Sequence, residues 1–370
     1  MSVPFIDLQR FEPDFLDRWA VLCAEISAKT QFISGPQATR LEQALAARSG
    51  VAEVVACANG TDALQLALRA VGVGPGDLVV IPDATFWATF EAVVNVGARV
   101  VTVDIDPRDL QMDYELFTEA CERHRPKAAI LVHLYGWGSA RLDEFRAFCR
   151  ERGIHLIEDG AQSFDVTWQG RPIYQDAELA TVSFYPAKVL GACGDAGAVY
   201  CSTAELATTV RRLANHGRTS RYEHGLVGWN SRIGGFDAAY LNLCLEYLPQ
   251  RLDSRRRAGA LYRERLEGRL KVVAAPAGYL ENGYLNVLLV EPAQRPRYEA
   301  ALRERGIGFG NVYPGAMSTQ PAAGAHLEAR FGGAQADRLS RGVLNLPLFA
   351  YIREAEIDEV LAAIAAAQKV

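Results

Sequence analysis

From residue 54 to about 201 this chain alternates short apolar runs with helical segments, and that alternation constrains its fold more than any other feature. Apolar runs stand at Val54–Cys57, Leu78–Pro82, Val100–Asp104, Ala128–Leu134, His155–Glu158, Thr181–Phe184 and Gly197–Cys201. Helical patterns fill most of the gaps; Leu64, Ala67, Leu68 and Val71 recur at helical spacing and line one face. Such a succession predicts an α/β fold built on a mostly parallel sheet covered on both faces. Ligands of such sheets bind outside the carboxyl ends of the strands, so chemistry is expected just after each apolar run.

Residues 15–47 read as helix with a break at Phe32-Ile33-Ser34-Gly35-Pro36, where Gly-Pro cannot continue it. After residue 202 a helical region runs to about 268, broken near Tyr222–Gly228, and its Arg255-Arg256-Arg257 run reads as a solvated face. The last hundred residues, with an apolar run at Tyr284–Val290 and an Ala-rich terminal helix, predict a smaller α/β domain. At 370 residues the chain exceeds the size at which one core usually suffices. A large domain over 1–250, including the N-terminal segment, and a smaller one over 251–370 are expected.

The net charge is −5 and no basic stripe exists, which argues against nucleic acid as partner. No apolar stretch reaches the ~18 residues that suggest a membrane span. The segment Met1-Ser2-Val3-Pro4-Phe5-Ile6-Asp7 lacks a basic region followed by an apolar core, so export is not expected. Seven cysteines without a CxxC pair suit neither a disulfide framework nor zinc, and the expected compartment is the reducing cytoplasm. The six histidines are scattered, so no metal site is expected; His133 and His155 read as core residues on apolar strands. The Gly72–Asp77 segment follows a helix and precedes a strand, the reverse of a dinucleotide fingerprint.

Four features follow apolar runs directly. Gly60 and Thr61, in Asn59-Gly60-Thr61-Asp62, open a helix whose free amides suit a phosphate, although Asn-Gly-Thr is also ordinary turn-and-cap chemistry. Asp159, with Gln162 beside it, could pair with a cationic heterocycle nitrogen or merely cap the next helix. Lys188 follows Ser183-Phe184-Tyr185-Pro186-Ala187 and precedes a Gly-rich turn; a desolvated lysine there would condense with a carbonyl, and a surface lysine is the alternative. Ser183 could give a hydroxyl to the same phosphate, and Phe86 or Trp87 a flat face to a ring, unless they are packing residues.

Taken in order, these segments resemble the sugar aminotransferase family called DegT/DnrJ/EryC1/StrS, a branch of the fold-type-I enzymes that use pyridoxal 5'-phosphate (PLP). The resemblance runs from Val3–Leu8 through Phe32–Pro36, Asn59–Leu64, Val103–Asp106, Glu158–Ser163, Ser183–Lys188 and Gly194–Gly197 to His216-Gly217 and Gly228–Arg232. It implies that Lys188 carries PLP covalently and moves the proton between cofactor and substrate carbons. It implies further that Asp159 pairs with the pyridine nitrogen, Gln162 lies near the ring, Phe86 stacks on it, and Gly60, Thr61 and Ser183 bind the phosphate. Asn230 would reach the phosphate in a neighbouring subunit, which implies a homodimer with shared active sites, and the amino donor would be L-glutamate.

The acceptor implied is a nucleotide-linked keto sugar. Ser183–Lys188, Arg221-Tyr222-Glu223-His224 and Asn230-Ser231-Arg232 resemble the branch acting at C3, with Tyr185, Arg221, His224, Arg232 and Tyr313 as substrate contacts. The alternatives are amination at C4 of a 4-keto-6-deoxy sugar, and a non-catalytic regulator that binds PLP or a nucleotide sugar. The chain departs from the family's pattern at Ile233-Gly234-Gly235-Phe236, at Tyr313-Pro314-Gly315-Ala316-Met317-Ser318, and at Tyr284-Leu285-Asn286, where relatives approach the sugar or the partner subunit.

Overall fold

The computed structural model describes residues 2–368; Met1, the first residue of the N-terminal segment read above, and residues 369–370 lie outside them. Its centre is an eight-stranded sheet in the order Glu53–Cys57, Gly197–Cys201, Leu179–Ser183, His155–Asp159, Ala128–Val132, Leu78–Pro82, Arg99–Val103, Leu327–Phe331. Gly197–Cys201 runs against both of its neighbours; every other pair in the sheet is parallel. All seven apolar runs become strands of this sheet.

Alternating side chains sort onto two faces, as a pleated strand requires. Val54 and Ala56 enter one core with Val80 and Leu131, while Val55 and Cys57 enter the other with Val79 and Ile130. Because both faces are covered, the central strands read as continuous apolar runs, and Ala128–Val132 is buried throughout. The eighth strand was not visible as a run. In Leu327-Glu328-Ala329-Arg330-Phe331 exposed and half-buried positions alternate, the pattern of an edge strand.

A three-stranded antiparallel sheet of Lys271–Val272, Asn286–Leu289 and Val343–Leu346 forms a second unit. Its core gathers Leu288, Leu344 and Ile364 with Tyr262 and the N-terminal Val3. The division expected at residue 250 falls inside the helix Gly235–Leu266, which runs on from one core to the other. On that helix Leu252, Arg255, Gly259 and Tyr262 follow helical spacing and are all buried. The expected solvated face therefore needs correcting. Arg257 is exposed, but Arg255 is only 6% exposed and its Nη1 donates to the Gly283 and Leu348 carbonyls.

Behind the strand His155–Asp159 lies a buried ionic cluster. Glu158 is wholly buried; Arg146 Nε donates to its Oε1 at 2.7 Å, and His133 Nε2 lies 2.8 Å from its Oε2. The expectation that His133 and His155 are core residues holds for the first only, since His155 is half-exposed against Glu178. Burial would raise the Glu158 carboxyl, yet Arg146 and His133 outweigh it and hold it at about 2. Removing the acid strands a buried guanidinium, so Glu158→Ala should lose about 3–5 kcal/mol of stability. A depressed carboxyl contributes fully above its ordinary 4.5 and loses the contribution as pH falls towards about 2. Melting temperatures across pH 7 to 2 should therefore fall less steeply for Glu158→Gln than for the parent chain; parallel slopes would contradict this reading.

Candidate active site

A cleft of about 680 Å³ opens at the carboxyl ends of the parallel strands. At one end the strand Glu53–Cys57 turns into the helix Gly60–Ala70, capped by Asn59, whose Oδ1 accepts from the Asp62 amide at 2.8 Å. The amides of Gly60 and Thr61 head this helix, where backbone donors have no partner within it. They face Ser183, the last residue of the strand Leu179–Ser183. The approach is so close that a Cβ on Gly60 would lie 2.6 Å from Ser183 Cβ. Helix dipole, free amides and a hydroxyl converge there on one small space, which suits a phosphate.

Asp159 ends the strand next to Glu158 but points the other way, into the cleft, and is 5% exposed. Its Oδ1 accepts from the Ala161 amide at 3.0 Å and its Oδ2 from Thr89 Oγ1 at 3.1 Å, with Thr85 behind Thr89 at 2.9 Å. Burial pushes its carboxyl up, and the Ala161 amide and the Lys188 charge offset only part of that. Asp159 thus lacks the close guanidinium that Glu158 has. A cation entering the cleft would lower the cost of its charge.

Lys188 sits in the turn after the strand Leu179–Ser183. Its amide donates to the Tyr185 carbonyl at 2.8 Å, and Ala192 closes the loop onto the Phe184 carbonyl at 2.8 Å. Nζ donates to Tyr284 Oη at 3.3 Å and stands 5.1 Å from that ring's centroid. The chain has five lysines, and among the described residues Lys188 is the one that lines the cleft.

Aromatic side chains form the outer wall. Phe86, 55% exposed, packs against Tyr313 with ring centroids 5.6 Å apart. Gln162 bridges inward, accepting from the Tyr135 amide at 2.7 Å and donating to Tyr313 Oη at 2.9 Å. Tyr185 also lines the cleft. The segment carrying Tyr313 is pinned by Asp83, a wholly buried carboxylate that accepts from Ser318 Oγ and Arg330 Nε at 2.8 Å each. Since Asp83 lies three residues before Phe86, one carboxylate ties together the two segments that carry the aromatic pair.

The structure brings Gly60, Thr61, Asp159, Gln162, Ser183 and Lys188 to one cleft, with Phe86, Tyr185 and Tyr313 at its wall. Asn230, Arg221, His224 and Arg232 are not in it. They lie in the segment between the helices Ala204–Ala214 and Gly235–Leu266, where Arg221 covers the Tyr222 ring and His224 Nδ1 meets the His216 carbonyl at 2.8 Å. Arg232 donates to Asn230 Oδ1 within the same segment. Sequence reasoning missed Tyr284 as a lysine partner and Thr89 as an aspartate partner. Tyr284 carried only the signal of a departure from the family's pattern, and Thr89 carried none.

The fold and the cleft describe an enzyme of the fold-type-I class, in which a lysine and a carboxylate face each other across a bound ring. The chain belongs to the DegT/DnrJ/EryC1/StrS aminotransferase family, whose sequence model matches residues 18–365. It is 36% identical over 365 residues to the UDP-2-acetamido-2-deoxy-3-oxo-D-glucuronate aminotransferase of Pseudomonas aeruginosa, covering 98% of this chain and 99% of that one. It is 38% identical over 360 residues to a UDP-N-acetyl-3-dehydro-alpha-D-glucosamine 3-aminotransferase of Acidithiobacillus ferrooxidans, covering 97% and 96%. Among solved structures, NtdA of Bacillus subtilis with bound cofactor PMP superposes with a TM-score of 0.92 at 26% identity, covering 100% of this chain and 86% of that one.

The protein is therefore a PLP-dependent aminotransferase, PMP being the amino form of the same cofactor. The residues present fit the group: a phosphate cradle, a buried carboxyl without a close guanidinium, one lysine, and Thr181 Oγ1, which lines the cleft buried with no partner among the described residues. Gly60→Ala tests the cradle. The added methyl cannot be accommodated without moving strand or helix, so PLP affinity should fall by at least about tenfold, read by titration of the apoenzyme; unchanged affinity would remove the phosphate from this corner.

Proposed function

We propose that this enzyme moves an amino group from L-glutamate to C3 of a UDP-linked keto sugar, with Lys188 as the lysine that carries PLP. The observation that carries the reading is Lys188 set across the cleft from buried Asp159, beside the Gly60–Ser183 cradle. The position and nucleotide rest on the two relatives above, both named for UDP-linked 2-acetamido sugars oxidised at C3.

In this reading Asp159, held by Thr89 and the Ala161 amide, keeps the cofactor's ring nitrogen protonated. The bound cofactor supplies an electron sink for the carbon that loses its proton. Lys188 takes that proton on Nζ and returns it at the other carbon, first with glutamate and then, in reverse, with the sugar. Gln162 and Phe86 would hold the ring between them, while Tyr313 and Tyr185 would border the space left for substrate.

We also propose a homodimer that shares its active sites. Among the described residues Lys188 is the one basic side chain lining the cleft, whereas glutamate brings two carboxylates and a sugar diphosphate two charged phosphates. Arg221 and His224 lie exposed on the 215–234 segment with Arg232 and Asn230, and a second copy would bring them over the cleft. All seven cysteines are free, which supports a reducing cytoplasmic setting, and no helix of the described residues is long and apolar enough to cross a membrane.

The test is glutamate-dependent amination of a panel of 3-keto and 4-keto UDP- and dTDP-sugars, read by mass. The expected result is conversion of a UDP-linked 3-keto sugar with release of 2-oxoglutarate. Conversion of 4-keto sugars alone would overturn the position. A yellow protein whose absorbance glutamate leaves unchanged would overturn the donor. Lys188→Ala should fold and dimerise like the parent but lose turnover by at least about 10⁴-fold.

A further inference from the structure

Arg255 is a cation that the fold buries with no acid paired to it among the described residues. It is 6% exposed; among the described residues its Nη1 reaches only the Gly283 and Leu348 carbonyls, each at 3.3 Å, and its Nε has no hydrogen-bond partner. Burial pushes the guanidinium down to about 10; Tyr284 acts in the opposite direction, and Arg251 adds to the fall. A buried charge is costly unless it is paired and hydrogen-bonded, and this one has the two carbonyls alone.

What depends on it is the turn that carries Tyr284. Gly283 has φ +66°, and a Cβ there would lie 2.8 Å from Arg255 Cβ and 3.0 Å from its carbonyl carbon. The other side of the turn is fixed by Asn282, wholly buried, whose Oδ1 accepts from the Tyr284 amide at 3.0 Å. Its Nδ2 donates to the carbonyls of Gln162 and Phe164, both at 2.9 Å. Tyr284 is thereby tied to the segment carrying Gln162, and its hydroxyl meets Lys188 Nζ. Asp159, Asp195, Tyr185 and Tyr313 also border the lysine's end of the cleft, but none of them is hydrogen-bonded to Nζ among the described residues.

We infer that Tyr284 is a catalytic residue acting on Lys188, and that Arg255 is the residue that positions Tyr284. The inference rests on the proposed role of Lys188. While the amine is detached from the cofactor, Tyr284 Oη accepts one of its N–H bonds and holds the nitrogen lone pair towards the reacting carbon. Lys188 Nζ gains a proton from one carbon and gives it to the other. Tyr284 keeps its own proton throughout, so the step balances on the lysine alone.

The experiment compares the parent enzyme with Tyr284→Phe, which keeps the ring and removes only the oxygen. Two readouts are used: the rate at which apoenzyme and PLP form the yellow covalent species, and the glutamate half-reaction with α-deuterated donor. Tyr284→Phe should melt like the parent, capture PLP on the order of 10-fold more slowly, and slow the half-reaction on the order of 10²-fold, with a larger deuterium isotope effect. Its KM for glutamate should move little. Parent-like capture and isotope effect would overturn the inference; failure of the parent enzyme itself to turn yellow would instead overturn the assignment of Lys188.

Arg255→Gln should slow both readouts in the same direction, and the double variant should be no slower than the slower single one. Additive slowing would remove Arg255 from this role. Should Arg255→Gln not fold, Arg255→Lys serves in its place: it should keep most of the rate, and a loss equal to that of Tyr284→Phe would contradict charge as the property that matters.

Discussion

The uniform direction of the parallel strands is the constraint on which the rest of this structure depends. Parallel pairing requires that each strand be followed by a crossover, and the crossovers bury both faces of the sheet. Every strand so arranged delivers its carboxyl end to the same edge. Cys57, Pro82, Val132, Asp159 and Ser183 all end strands there, and the residues that follow them make the cleft. A phosphate cradle, a carboxylate and an amine meet there although Gly60 and Lys188 lie 128 residues apart in the chain.

Within that frame the neighbouring acids Glu158 and Asp159 show how strand geometry divides labour. Period-two alternation sends one behind the sheet and the other into the cleft. Glu158 is neutralised on the spot by Arg146 and stabilises the fold. Asp159 receives a hydroxyl and an amide but no guanidinium, and burial leaves its carboxyl raised. The protein thus holds one carboxylate beside a guanidinium and its neighbour beside a hydroxyl and an amide alone, the setting from which we propose that Asp159 meets the cofactor's ring nitrogen.

What was legible in the sequence follows the same physics. The seven runs were visible because strands covered on both sides are mostly apolar, the buried edge strand Glu53–Cys57 among them, and the cleft residues because they stand shortly after such runs. The strand Leu327–Phe331 was hidden because an edge strand is half solvated and carries Glu328 and Arg330. Arg255 was misread because a run of three arginines looks solvated until the phase of its helix is known; one residue in that run faces the core. Tyr284 could not be read as a lysine partner, since the contact depends on a turn set by Gly283, Asn282 and Arg255 from separate elements. The basic side chains of the 215–234 segment were legible as a group, but no periodicity says which cleft they serve.

The proposed chemistry turns on Lys188. Reduction of the yellow enzyme with borohydride, followed by digestion and peptide mass mapping, reads directly which amine the cofactor occupies. The pyridoxyl group should be found on the peptide containing Lys188 and on no other of the five lysines. Stoichiometric label on Lys29, Lys127, Lys271 or Lys369, with Lys188 unmodified, would contradict it.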